Sequence, residues 1–312
     1  MQNSRRRLVL GAGVAMAAVL GGVGSASGQD QRRTRLILLG TGGGPRPRKV
    51  SSAPSQVIVI DDVPYVVDCG NGVARQLVFA GVSPGRIRHV FVTHHHSDHN
   101  ADYGNLLLLA WASGLRGRVD TWGPPPIEKM TRLFFEMNAY DIDTRIADEG
   151  RPPLVPLVHV HEFRQGGLVL QDERVKVTAA LVDHPPVVPA FAYRFDGPDR
   201  SIVISGDTNR CDALVGLARG ADVLVHEVLF VPAVDRLVAR VPNAVTLKKH
   251  LIDSHTAVED AGRVAAAAGV KTLVLSHFVP SDDPQLTDQM WRDAAKAHFG
   301  GEVIVGRDLM EI

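Results

Sequence analysis

Cysteine is scarce in this chain: two residues in 312, Cys69 and Cys211. That excludes a small fold framed by several disulfides. Neither sign of charge is in excess, since 34 basic side chains stand against 34 acidic ones, so no net field would steer the molecule onto a polyanion. Repeats, low-complexity tracts and linkers are missing too, and nothing in the sequence divides it. No apolar run reaches the roughly 20 residues that a membrane-spanning helix needs. What remains is a chain long enough to bury a large core.

The first residues have their own character. Ser4-Arg5-Arg6-Arg7-Leu8 opens a twin-arginine-like segment, followed by a Gly/Ala-rich apolar stretch and the small residues Ser25, Ala26, Ser27 and Gly28. The expected organisation is an export signal over residues 1–28 and one domain over residues 29–312. Its expected location is periplasmic or secreted, with no stable membrane insertion after signal removal.

The most informative stretch is His94-His95-His96-Ser97-Asp98-His99, directly after the strand-like His89-Val90-Phe91-Val92-Thr93. Neutral imidazole is the commonest zinc ligand, and carboxylates join it where a bound water must be activated. In an extended turn, His94 and His96 point one way while Asp98 and His99 follow on the other. One loop could then serve two ions roughly 3.5 to 4 Å apart.

The pattern His-x-His-x-Asp-His resembles the signature of the metallo-β-lactamase superfamily, and further motifs follow in that superfamily's order. Asp68 closes a strand-like run, His184 stands in Val182-Asp183-His184-Pro185, Asp207 in Ser205-Gly206-Asp207-Thr208, and His277 in Leu275-Ser276-His277-Phe278. The resemblance implies His94, His96 and His184 as ligands of one zinc, and Asp98, His99 and His277 as ligands of a second. Asp207 would bridge the two and Asp68 would steady the loop from behind; manganese or iron are the alternative metals. It also implies a four-layer αβ/βα sandwich. Alternation of strand-like residues 36–39, 56–60 and 175–179 with helix-like residues 256–268 supports, by itself, only a mixed α/β domain. His89, His95, His159, His161, His250 and His298 match no motif and are read as structural. Val158-His159-Val160-His161 reads as a strand with one exposed face. Cys69 and Cys211 read as small buried thiols near the site, with their pairing left open.

Leu38-Leu39-Gly40-Thr41-Gly42-Gly43-Gly44, Asp68-Cys69-Gly70, His226-Glu227 and Ser254-His255-Thr256-Ala257 narrow the resemblance to the ribonuclease Z and arylsulfatase-like branch. That branch implies Asp98 orienting a hydroxide and His255, held by Glu227, serving the leaving oxygen. Two departures stand out. Ser254-His255-Thr256 takes the place of His-Ser-Thr, and Phe278-Val279-Pro280-Ser281-Asp282-Asp283 replaces a Ser-x-Arg-Tyr ending, removing a cation suited to phosphate. A Lys/Gly/Pro-rich arm for gripping tRNA is not found either.

The resulting expectation is an exported binuclear-zinc hydrolase that attacks anionic esters, aryl sulfate or phosphodiester, with a metal-activated hydroxide. Its partner would be a small-molecule ester; tRNA is not expected, and a homodimer is compatible with this reading. A carbonyl-directed lactonase or β-lactamase-type hydrolase is the alternative, and a metal-dependent binding protein without turnover is a third. After Pro124-Pro125-Pro126, a helix is expected to bury Ile127, Met130, Leu133, Phe134 and Met137. Its end, at Asn138, Tyr140 and Asp141, would overhang the metals as a pocket wall.

Overall fold

The computed structural model describes residues 33–312; the export segment expected over residues 1–28 lies outside them. The first six strands are β1 (Thr34–Gly40), β2 (Ser55–Ile60), β3 (Val63–Val67), β4 (His89–Phe91), β5 (Val119–Gly123) and β6 (Val158–Glu162). The next seven are β7 (Gly167–Gln171), β8 (Lys176–Leu181), β9 (Phe191–Asp196), β10 (Ser201–Ile204), β11 (Val223–Leu229), β12 (Thr272–Val279) and β13 (Glu302–Val305), and β14 (Met310–Glu311) closes the chain. They form two seven-stranded sheets, ordered β14-β1-β2-β3-β4-β5-β6 and β13-β12-β11-β10-β9-β8-β7.

Short connections give antiparallel pairs and long ones give parallel pairs, as chain geometry requires. Asp61 and Asp62 close the β2–β3 hairpin with φ of 45° and 64°, the left-handed conformation that a two-residue hairpin turn needs and that Asp tolerates better than most residues. Side chains alternate across β1. Ile37 and Leu39 face an outer helical layer, while Leu36 and Leu38 join Phe91, Tyr193, Phe195 and Val225 between the sheets. Both faces of the strand are therefore apolar, so β1 reads as a continuous hydrophobic run. Phe91 meets Tyr193 and Phe195 edge to face, with centroids 5.4 and 5.2 Å apart.

Helices α1 (Val73–Phe79), α2 (Ser97–Asn100), α3 (Tyr103–Ala112), α4 (Ile127–Met137) and α5 (Ala139–Glu149) belong to the first half of the chain. All but α2 contribute to the apolar layer outside the first sheet. Helices α6 (Asp212–Ala218), α7 (Val234–Ala239), α8 (Leu247–Ser254), α9 (Val258–Ala268) and α10 (Asp288–Lys296) follow, with α6, α9 and α10 covering the second sheet. The four-layer αβ/βα sandwich expected from the resemblance is the architecture observed.

The expected stripe on α4 is rotated. Leu133 and Met137 are exposed, and the buried positions are Ile127, Thr131 and Phe135. Thr131 can be buried because its hydroxyl donates to the Ile127 carbonyl at 2.8 Å and meets the Tyr103 hydroxyl at 2.7 Å. A pattern that counts only apolar residues does not see that.

Candidate metal centre and active site

Asp68, the His94–His99 loop, Asp207, Glu227 and His277 sit at or near the carboxyl ends of the parallel strands β3, β4, β10, β11 and β12, as in other open α/β sheets, while His184 follows the antiparallel β8 and His255 follows α8. After β4 the chain stays extended through His96 and then makes the short helix α2, so Asp98 and His99 are helical rather than part of an extended turn. On β12 the pairing to β11 jumps from Glu227↔Ser276 to Val228↔Phe278. His277 is the extra residue of that bulge, with φ of 45°, and bulges of this kind re-aim a side chain.

Two groups of ligand atoms result. His94 Nε2 and His184 Nε2 each lie 3.1 Å from His96 Nδ1, and Asp207 Oδ2 is 3.8 and 4.0 Å from the first two. On the other side, Asp207 Oδ1 is 3.2 Å from His99 Nε2, and Asp207 Oδ2 is 3.2 Å from His277 Nε2. Asp98 Oδ2 is 3.6 and 3.4 Å from the same two nitrogens. Within each group the ligand atoms lie within 4.8 Å of one another, and Asp207 belongs to both.

This donor set fits divalent cations. His99 Nε2 and Asp207 Oδ1 are both buried and, though 3.2 Å apart, make no hydrogen bond to each other or to any other group, which is costly unless something else satisfies them. Burial, then the neighbouring imidazoles, push His94 well down, and burial and His184 take His96 down to about 4, so both rings carry free lone pairs at neutral pH. Burial opposes charge on His99, yet Asp207, Asp68 and Asp98 outweigh it and hold its pKa well above the ordinary value. Those anions call for positive charge, which a metal ion supplies.

Outer contacts fix the rings. His99 Nδ1 donates to Asp68 Oδ2 at 2.7 Å and His184 Nδ1 donates to the Ser254 carbonyl at 2.8 Å, leaving each Nε2 as the lone-pair atom. Asp68 Oδ1 also accepts from the Thr93 backbone N–H at 2.8 Å. Gly44 N–H donates to Asp98 Oδ2 at 2.8 Å, giving the glycine turn after β1 a direct role at the site.

His255 reaches the centre despite its changed place in the motif. Its Nδ1 lies 3.1 Å from both Glu227 oxygens and 3.9 Å from Asp207 Oδ2. Glu227 is held in turn by the backbone N–H groups of Thr208 and Thr256, at 3.0 and 3.2 Å. Burial opposes the charged form of His255, but Glu227 outweighs it and pushes its pKa up to about 9.

A pocket of about 340 Å³ opens over His96, Asp98, Asp207, His255 and His277. Asn138, Tyr140 and Asp141 take no part in it. Tyr140 is 87% exposed and Asp141 pairs with Arg145. The apolar wall is instead Leu237, Val241, Ala244, Leu247 and Leu251, and Arg46 and Arg48 stand on the glycine-turn side. His250, which matches no motif, also lines the pocket. The available signal was local: Leu237/Val241 and Leu247/Leu251 are i,i+4 apolar pairs.

Of the other unassigned histidines, His159 is exposed on β6, His298 contacts Arg263, and the rest have structural partners. His95 is held by the Pro124 carbonyl and Asn100, His89 stacks on Tyr65, and the half-exposed His161 stacks on Trp122 and bonds Asp120. Cys69 and Cys211 are both free; Cys69 is buried and Cys211 half-buried.

The family described as a β-lactamase superfamily domain matches residues 65–278, so fold and site together define a metal-dependent hydrolase of that superfamily. Ribonuclease Z of Mycobacterium bovis is 34% identical over 280 residues, covering 89% of this chain and 97% of that protein. The chain belongs to the ribonuclease Z family. Among solved structures, the metallo-β-lactamase fold protein YhfI of Bacillus subtilis is similar with a TM-score of 0.66 at 20% identity, covering 89% of this chain and 98% of that one. The short form of human tRNase Z gives 0.65 at 23%, with the same coverage of both chains.

These relatives overturn two expectations: an exported hydrolase of small anionic esters, aryl sulfate or phosphodiester, and the exclusion of tRNA. The exclusion of tRNA rested on missing cations. The zero net charge and the lost Arg of the terminal motif say nothing about Arg46 and Arg48, which the fold brings to the pocket from a turn more than 200 residues upstream of that motif.

Proposed function

We propose that the chain is a metal-dependent phosphodiesterase that cleaves RNA, with a tRNA precursor as its substrate class. The observation that carries the reading is Asp207 shared between two ligand groups, in a chain that aligns with ribonuclease Z over nearly the whole of both proteins. Two zinc ions, with manganese or iron as alternatives, would be held by His94, His96 and His184 and by Asp98, His99 and His277, with Asp207 between them. When bound, such ions supply Lewis acidity toward a phosphodiester and an attacking water near neutral pH.

The chain's own residues do the rest. Asp98, anchored by Gly44 N–H, orients the attacking water. His255, held in its charged form by Glu227, gives a proton to the leaving oxygen, and Glu227 positions it. Arg46 and Arg48 supply positive charge beside the pocket for flanking phosphates.

The test is cleavage of a labelled tRNA precursor by the metal-loaded protein, beside aryl sulfate, aryl phosphodiester and lactone substrates, with elemental analysis of the same preparation. Chelator-sensitive RNA cleavage with about two metals per chain is expected. Turnover of the sulfate or lactone with the RNA left intact would overturn the proposal.

A further inference from the structure

We infer that His250 is the group that recognises the ribose 2′-hydroxyl beside the scissile phosphate; the inference rests on the RNA-cleaving reading above. His250 lies on α8 and lines the pocket over the metal ligands, half-buried, with its ring edge-to-face to His96, His184 and His255 at centroid distances of 5.8, 6.2 and 5.7 Å. It is the one pocket histidine that belongs to neither ligand group and does not touch Glu227.

Its hydrogen bonding fixes what it can offer. The Ser254 hydroxyl donates to the Pro185 carbonyl, so its single proton is used. His250 Nδ1, 3.3 Å from that hydroxyl, must then be the donor. A neutral ring with its proton on Nδ1 has an acceptor at Nε2, and the phosphate and its bridging oxygens have nothing to donate to it. In an RNA strand the 2′-hydroxyl is the donor nearest the backbone phosphorus, one carbon away from the bridging 3′ oxygen, and it is what distinguishes RNA from DNA. A fixed acceptor next to His96 and His184 is therefore matched to the sugar. The base can pack on the aliphatic wall of Leu237, Val241, Leu247 and Leu251.

The test compares a labelled tRNA precursor with the same RNA carrying 2′-deoxy sugars on both sides of the scissile phosphate, using the metal-loaded wild type, His250→Ala and His250→Gln. One neutral hydrogen bond predicts that the 2′-deoxy change lowers wild-type kcat/KM about fivefold to tenfold. His250→Ala should lower the all-ribose value by a similar factor and add little further loss on the deoxy substrate, and His250→Gln, which keeps an acceptor, should recover part of it. Metal content should match wild type throughout. Equal losses on both substrates, or indifference of the wild type to the deoxy change, would overturn the role; so would a 2′,3′-cyclic phosphate product, which makes His250 a base rather than a reader. A wild type that leaves the RNA intact removes the RNA-cleaving reading and this one with it, whereas the other failures remove the role of His250 alone.

Discussion

Asp68 and His99 are joined by a 2.7 Å hydrogen bond, carboxylate Oδ2 to imidazole Nδ1, with both side chains buried. The same carboxylate takes the Thr93 N–H. One side chain at the end of β3 thus ties down the start of the histidine loop and orients a ring near its end. Asp68→Asn keeps the size but can present an N–H to the Nδ1–H of His99. Loss of such an outer partner typically costs roughly 10- to 100-fold in metal affinity. Competition with a chelator should show that drop while circular dichroism stays native; unchanged affinity would remove the orienting role.

Gly43 presses on the same ligand group from the glycine turn. A Cβ there would lie 2.6 Å from Val279 Cγ2 and 2.7 Å from His277 Cε1 and Nδ1, closer than van der Waals contact allows, so the His277 ring must move. Gly43→Ala should bring metal content from about two per chain toward one, because His94, His96 and His184 lie away from the clash. Gly216→Ala on α6 is the control. Its added methyl meets nothing within 4 Å, and replacing glycine by alanine at a compatible helical site is neutral or stabilising. Full metal content in Gly43→Ala would show that the turn yields instead.

Much of the site was legible because it is written in local strings. His94 to His99 follow a short buried strand, and Asp207 and His277 each close an apolar run, so strand ends mark them. The pocket walls were not legible. Arg46 and Arg48, the Leu237–Leu251 wall and His250 come from segments that meet only once both sheets are folded, and a zero net charge averages the arginines away. The rotation of α4 was hidden for a different reason: Thr131 is polar by composition but satisfied by Ile127 and Tyr103. In the sequence Ser254 shows only as a displaced motif residue, yet its carbonyl holds His184.

Away from the metals, Asp222 stitches β10 to β11. It accepts from the Ser201 N–H and hydroxyl at 2.7 and 2.9 Å and from Lys271 Nζ at 2.6 Å. Burial alone would raise its pKa, but Lys271 and Ser201 outweigh that and take it down from 3.8 to about 2. A depressed folded-state pKa means that the stabilisation is fully present above 3.8 and is lost as pH falls through about 2. Asp222→Asn should cost about 1 kcal/mol at neutral pH, a Tm deficit of a few degrees. In thermal melts that deficit should hold from pH 7 to 5 and close below pH 4. A gap that stays constant into acid would mean the charge is not what matters.

His255 and Glu227 make a pair, Nδ1 to carboxylate, 3.1 Å from each oxygen. Held charged, His255 can donate a proton only if a group at the metal centre needs one. His255→Ala should therefore keep both metals yet lose roughly 10²- to 10⁴-fold in kcat on a phosphodiester with a poor, alkoxide-like leaving group. A p-nitrophenyl phosphodiester should suffer far less, because p-nitrophenolate departs as an anion without a proton. Glu227→Gln should fall between, since it leaves the ring in place but removes the charge that keeps it protonated. Equal losses on both leaving groups would make His255 an anion binder instead, and no loss on either would leave the Glu227 contact purely structural. Metal content has to be measured in each preparation, because a lost ion would lower both rates together and imitate the anion-binding result.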